Sequence, residues 1–113
     1  MSNTLHLQIE AVESGYEFLL AYAAQGRESD QGSEVRDTLM AMRDAAAGID
    51  ESMATGGGFT EIVADDARKS LAAIDLVLAQ DPISSELVDN LNVSIHLRAL
   101  LTDLFLLSET LQP

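Results

Sequence analysis

The sequence predicts an all-α protein, an up-and-down four-helix bundle in a single domain over residues 1–113. Three breaks support this: a polar run over residues 25–32, a glycine run within residues 55–58, and residues 80–82, which end in a proline. The four segments between them are about 20 to 30 residues long, and their apolar residues recur every three to four positions. Because the links are short, consecutive helices should run antiparallel.

The first two helices are predicted at about residues 4–24 and 33–54. Ser33 is a good N-cap for the second helix, and Glu34 in its first turn interacts favourably with the helix dipole. The core-facing residues are predicted to be Leu5, Ile9, Val12, Tyr16, Leu19, Leu20 and Ala23 in helix 1, and Val35, Leu39, Met42, Ala46, Ile49 and Met53 in helix 2.

The last two helices are predicted at about residues 60–79 and 82–111. Helix 3 must end before Pro82, because the residue that precedes a proline avoids the α region. Asp81 can cap helix 4, and Ser84 is a competing cap. The core-facing residues are predicted to be Val63, Ala67, Leu71, Ile74, Val77 and Leu78 in helix 3, and Val93, Leu97, Leu100, Leu101, Leu104, Leu107 and Leu111 in helix 4.

The composition is typical of a globular protein of the cytoplasm. Apolar residues make up 47% of the 113 residues, which is enough to form a core. The absence of cysteine excludes disulfides, thiolate metal sites and cysteine nucleophiles. Residues 1–4 lack the basic residues and the apolar run of a signal peptide, and no apolar stretch reaches the length that spans a bilayer. We therefore expect a cytoplasmic protein that does not bind membranes.

The net charge of −13, from 19 acidic and 6 basic residues, limits the classes of partner. Nucleic acids and anionic membranes bind clustered Lys and Arg, so neither is a predicted partner. An acidic surface suits a basic protein partner, or a mimic of nucleic acid. A mimic needs its acidic residues on one surface, whereas here they are spread over all four segments. Solubility therefore explains most of the charge.

Helices 1 and 4 each carry a second apolar stripe, on the side opposite their core stripe. A helix at the edge of a lone bundle is apolar on one side only, so something should cover these stripes, and a second copy is the simplest cover. We therefore predict a homodimer. A bend in helix 4 and cover by a different protein are the alternatives. The predicted interface residues are Leu7, Ala11, Phe18 and Tyr22 of helix 1 and Val88, Leu91, Ile95 and Leu106 of helix 4.

The predicted function is a non-enzymatic protein–protein interaction module, such as an adaptor, a small chaperone or an accessory subunit. The alternative is a signalling protein that carries a phosphoryl group on His96. Histidine phosphotransfer domains are helical bundles of similar size with one exposed histidine. They typically have a lysine and a glycine shortly after it, where this sequence has Ala99 and Leu100.

No metal site and no cofactor are predicted. Metal sites in helical bundles use Glu-x-x-His pairs, and neither His6 nor His96 belongs to one. The glycines at residues 56–58 lack the lysine that a phosphate-binding loop requires. Asp65 and Asp66 could act as acid and base only if they were buried together, and a solvated helix face is the expectation. A helical enzyme with a site at a dimer interface is therefore the least favoured hypothesis.

Overall fold

A computed structural model describes residues 3–110, and within that range the chain forms five α-helices and no β-strand. The predicted all-α class is confirmed, and the first three helices begin and end within about two residues of their predicted bounds. The helices are α1 (Asn3–Ala24), α2 (Val35–Met53), α3 (Phe59–Leu78), α4 (Ser85–Val93) and α5 (Ile95–Thr110).

The prediction of one long fourth helix is wrong, because this segment forms two helices, α4 and α5, whose axes are bent by 56°. Ser94 lies between them in an extended conformation, with φ −63° and ψ 142°. Its hydroxyl accepts a hydrogen bond from the backbone N–H of Leu97 in the first turn of α5. Ser84, not Asp81, caps α4 by accepting a hydrogen bond from Leu87. The end predicted at residue 111 lies outside the described residues.

The bend divides the fourth segment between two neighbours. α1 packs on α2 and α4, whereas α3 packs on α2 and α5, so α4 and α5 lie mainly along different helices. All five helices contribute to one apolar core. Its largest fully buried side chains include Leu19, Leu39, Met42, Ile49, Ile74, Leu97, Leu100 and Leu104.

A group of hydrogen bonds attaches the start of α4 to the end of α1. The Tyr22 hydroxyl donates to the backbone oxygen of Ile83 at 2.6 Å, and the Ser85 hydroxyl donates to the backbone oxygen of Tyr22 at 2.7 Å. The Arg27 backbone N–H donates to the Ser85 hydroxyl at 2.8 Å. Asp30 accepts from the backbone N–H of Ile83 at 2.8 Å, and this bond lowers the pKa of Asp30 below its usual value.

Two glycines inside helices allow α1 and α2 to approach closely. A Cβ atom at Gly15 would overlap Cγ and Sδ of Met42, which is fully buried. A Cβ atom at Gly48 would overlap the side-chain amide of Gln8. The close packing of these helices offsets the cost of about 1 kcal/mol that glycine carries relative to alanine inside a helix.

Replacing Gly15 with alanine is expected to lower the free energy of unfolding by about 1–2 kcal/mol, because overpacking an enclosed site costs more than the helix propensity gained. Urea denaturation followed by circular dichroism measures this loss. In a Met42→Ala background the same substitution has room, and it should be neutral or stabilising. An equal loss in both backgrounds would show that Met42 is not the cause.

Candidate functional site: the outer face of α5

The second apolar stripe of α1 is largely covered by the subunit itself. Of its four predicted interface residues only Leu7 is exposed. Ala11 and Phe18 are half-buried against the core, and they line a shallow groove between α1 and α2. The remaining surface of this stripe is therefore smaller than the sequence predicts.

Three predicted interface residues are buried in the core, so their assignment to an outer surface is wrong. Tyr22 is 1% exposed, because its ring lies in the core and its hydroxyl reaches Ile83. Val88 and Leu91 lie on the buried side of α4, which packs mainly on α1. Counting helical positions through Ser94 assigns α4 to the wrong side, since the helix axis changes direction there.

The other two predicted residues, Ile95 and Leu106, are exposed on α5 by 74% and 53%. With Ala99 and Thr102 between them they follow spacings of four, three and four, which place side chains on one side of a helix. The opposite side of α5 is buried in the core. We call this exposed surface the outer α5 face, and it consists of Ile95, Arg98, Ala99, Thr102, Phe105 and Leu106.

Sequence reasoning missed two exposed apolar residues of the fourth segment. Phe105 belongs to neither predicted stripe of the helix, yet it is exposed beside Leu106. Val93 was predicted to face the core, and it is exposed just before the bend. The available signal was Ser94, since a serine before an apolar run is a candidate N-cap and would have divided the segment.

Arg98 differs from the other basic residues in having no side-chain partner in the part of the chain that the structure describes. Within residues 3–110, which contain every Lys and Arg of the chain, it alone among them forms no side-chain ion pair or hydrogen bond. The remaining five bind carboxylates or backbone oxygens. Glu109, exposed near the other end of α5, also has no ion pair among the described residues. The exposed side of α5 is therefore positive near its start and negative near its end.

Asp103 forms a carboxyl pair with Asp66 where α5 packs on α3. Asp103 is 7% exposed, and no group in the described range donates a hydrogen bond to its Oδ2. Burial raises the pKa of Asp103 to about 7, and the hydrogen bond to Asp66 and the negative charge of Asp66 act in the same direction. Two carboxyl groups can form such a bond only when one carries a proton, and the raised pKa of Asp103 favours that protonation.

The sequence could indicate only part of this pair. Asp66 stands out there as half of an Asp-Asp sequence, but the structure pairs Asp65 with Lys69 instead, at 3.0 Å, which lowers the pKa of Asp65. Asp103 interrupts the apolar run of α5, and its position between Leu100 and Leu107 was the available signal. Which residue of α3 it meets depends on the packing of the two helices.

His96 is exposed at the start of α5. Its backbone oxygen accepts a hydrogen bond from the Ser70 hydroxyl at 3.0 Å, and its side chain has no hydrogen bond or ion pair within residues 3–110. Phosphoryl transfer needs a cation to stabilise the developing charge, and no hydrogen bond or ion pair within residues 3–110 fixes one beside this side chain. The described residues also contain no cluster of three His, Asp or Glu side chains that could hold a metal ion.

The described residues form an all-α protein in which one side of α5 exposes large apolar side chains. Comparison of the chain with protein-family models, with curated proteins and with solved structures finds no match. Among the described residues no single helix is long and apolar enough to cross a membrane. Taken together as one bent segment, α4 and α5 have the length and the apolar composition of a membrane span.

Proposed function

We propose that this chain is a non-enzymatic protein–protein interaction module that forms a two-fold dimer through the outer α5 face. Its subunit is a helical bundle in which α4 and α5 together occupy the fourth position. The observation that carries the proposal is the exposure of Ile95 and Leu106 on a helix whose other side is buried in the core. Each large apolar side chain that a partner covers contributes about 1.5–3 kcal/mol before the cost of association.

A second copy suits this face because the pattern is complementary to itself when two α5 helices pack antiparallel. The spacing of the face is that of a heptad seam. In that arrangement Ile95 of one subunit lies opposite Leu106 of the other. Ala99 then lies opposite Thr102, and these small side chains at the centre allow the helices to approach closely. A two-fold axis uses the same residues on both subunits.

Charge supports the same orientation. Antiparallel packing brings Arg98 of one subunit toward Phe105 and Glu109 of the other, twice per dimer, whereas parallel packing sets like charges side by side. Arg98 has no ion pair or side-chain hydrogen bond within residues 3–110, so pairing it across the interface breaks no contact among them. The rest of the dimer surface stays acidic, and a basic protein is the class of further partner that it suits.

Sedimentation equilibrium of the pure protein at micromolar concentration tests the proposal, which requires a dimer. Arg98→Glu or Glu109→Arg alone should each weaken the dimer about thirtyfold, and the double variant should restore most of the affinity, because a charge pair at an interface rim contributes about 1 kcal/mol and the proposed dimer contains two such pairs. Glu51→Arg, at an exposed site on α2, is the matched control and should leave the dissociation constant unchanged. A strictly monomeric wild-type protein contradicts the proposed function.

Phosphoryl transfer through His96 has less support. The exposure of His96 meets one requirement of that function, but its side chain forms no hydrogen bond or ion pair within residues 3–110 that would position it for the transfer. The interaction module therefore explains more of the observed surface.

A further inference from the structure

The Asp66–Asp103 pair borders the outer α5 face. Its carboxyls join α3 to the helix that carries the proposed dimer contact, and the hydrogen bond from Ser70 to the backbone of His96 joins the same two helices. Asp103 is also one of the residues that line a shallow groove on this face. The groove is lined by Ile95, Arg98, Ala99, Thr102 and Asp103.

We infer that the Asp66–Asp103 pair is a proton-binding site that couples the pH of the solution to self-association through the outer α5 face. The inference rests on the proposed function, because the coupling requires a second copy on that face. The ligand is a single proton per subunit, shared between the two carboxyls.

The coupling follows from what a second copy does to the groove. Covering the groove removes water from the side of Asp103 that still reaches solvent, and this penalises the ionised pair more than the protonated one. The dimer therefore binds the proton more tightly than the monomer does. By linkage, dimerisation takes up protons, so dimer affinity is highest when the pair is protonated and falls as pH rises through its titration.

No described cation neutralises the pair. Within residues 3–110 no Lys, Arg or His forms an ion pair with Asp66 or Asp103. Apart from the half-buried Glu13, the other charged groups of the elements packed on α5 are paired elsewhere or exposed. They are Glu61, Asp65, Arg68, Lys69 and Asp75 on α3, Glu86 and Asp89 on α4, His6, Glu10, Glu13 and Glu17 on α1, and on α5 itself His96, Arg98 and Glu109.

The proton site can be tested without reference to the dimer. A carbon-13 NMR titration of the side-chain carboxyl carbons of the full chain should show one aspartate that titrates near neutral pH, about three units above an ordinary aspartate. That signal should disappear in Asp103→Asn, which keeps the shape of the side chain and is always neutral. If every aspartate titrates in the ordinary acidic range, the inference is overturned.

The coupling is tested by sedimentation equilibrium at constant ionic strength. The dissociation constant of the wild-type dimer should rise about tenfold between about pH 6 and about pH 8, and that of Asp103→Asn should stay constant. Asp66→Asn serves the same purpose if Asp103→Asn does not fold. His6→Gln, His96→Gln and Asp89→Asn are the controls, and each should keep the wild-type pH dependence.

The outcomes separate this inference from the proposed function. A wild-type dimer whose dissociation constant does not change with pH overturns the coupling and leaves the dimer standing. Loss of the pH dependence in His96→Gln or His6→Gln also overturns it, because a histidine would then be the titrating group. A wild-type protein that is monomeric at every pH overturns the proposed function and the coupling together, and the NMR titration alone then decides whether the pair holds a proton.

Discussion

The Ile95→Glu, Leu106→Glu double variant is expected to remain folded and to lose self-association, with a dissociation constant raised at least about 100-fold. Both side chains are mostly exposed in the subunit, so their replacement removes little core packing. Ile95 begins α5, where a glutamate interacts favourably with the helix dipole. In the dimer the same substitutions place four charges in an apolar seam, which costs about 3 kcal/mol or more.

Sedimentation equilibrium measures the loss, and thermal unfolding followed by circular dichroism checks that the variant is folded. Leu7→Glu is the matched control, because Leu7 is a leucine on α1 whose exposure lies between that of Leu106 and that of Ile95. It should leave the dissociation constant within about twofold of wild type, as surface substitutions away from an interface usually do. If the double variant is folded and still dimerises, the interface lies elsewhere, and loss of the dimer in Leu7→Glu instead identifies α1 as the contact.

The second large effect is expected at Tyr22, for which Tyr22→Ala should lower the free energy of unfolding by about 3–5 kcal/mol. The ring is fully buried, and the hydroxyl is the donor that attaches the segment before α4 to the end of α1. Tyr22→Phe keeps the ring and should cost about 1–2 kcal/mol, because the buried backbone oxygen of Ile83 loses its donor.

Urea denaturation of the two variants separates the contribution of the ring from that of the hydroxyl. Tyr16→Phe is the control, since Tyr16 is half-buried on the same helix and its hydroxyl has no hydrogen bond among the described residues. Its effect should be near zero. A Tyr22→Phe variant as stable as wild type would mean that the bond to Ile83 contributes nothing to the free energy of unfolding.

Local patterns predicted most of the helices well. Helical periodicity and the two glycine-containing breaks were sufficient to place α1, α2 and α3, because both act over a few residues of chain. The same reasoning failed at Ser94, where it predicted a continuous helix. A serine can lie inside a helix or cap one, and the choice here follows the packing of α4 on α1 and of α5 on α3.

The candidate site was predicted only in part, because helical periodicity is valid within one helix and not across the break at Ser94. Ile95 and Leu106 lie on one side of a single unbroken helix, and they are exposed. Val88 and Leu91 were assigned to that side by extending the count across the break, and both are buried. Tyr22 was assigned to an outer stripe because its long-range bond to Ile83, 61 positions along the chain, leaves no mark on the periodicity of α1.

The sequence alone determined three properties of this protein, because each depends only on residue types and local spacing. They are the helical class, the set of residues that share each side of a helix, and the strong negative charge. The tertiary structure decided which of two apolar sides of a helix is covered, and which distant groups meet, as Asp66 and Asp103 do. Periodicity determines which side chains share a side of a helix. What packs against that side depends on the path of the rest of the chain, and a single bend of 56° was enough to reassign half of the fourth segment.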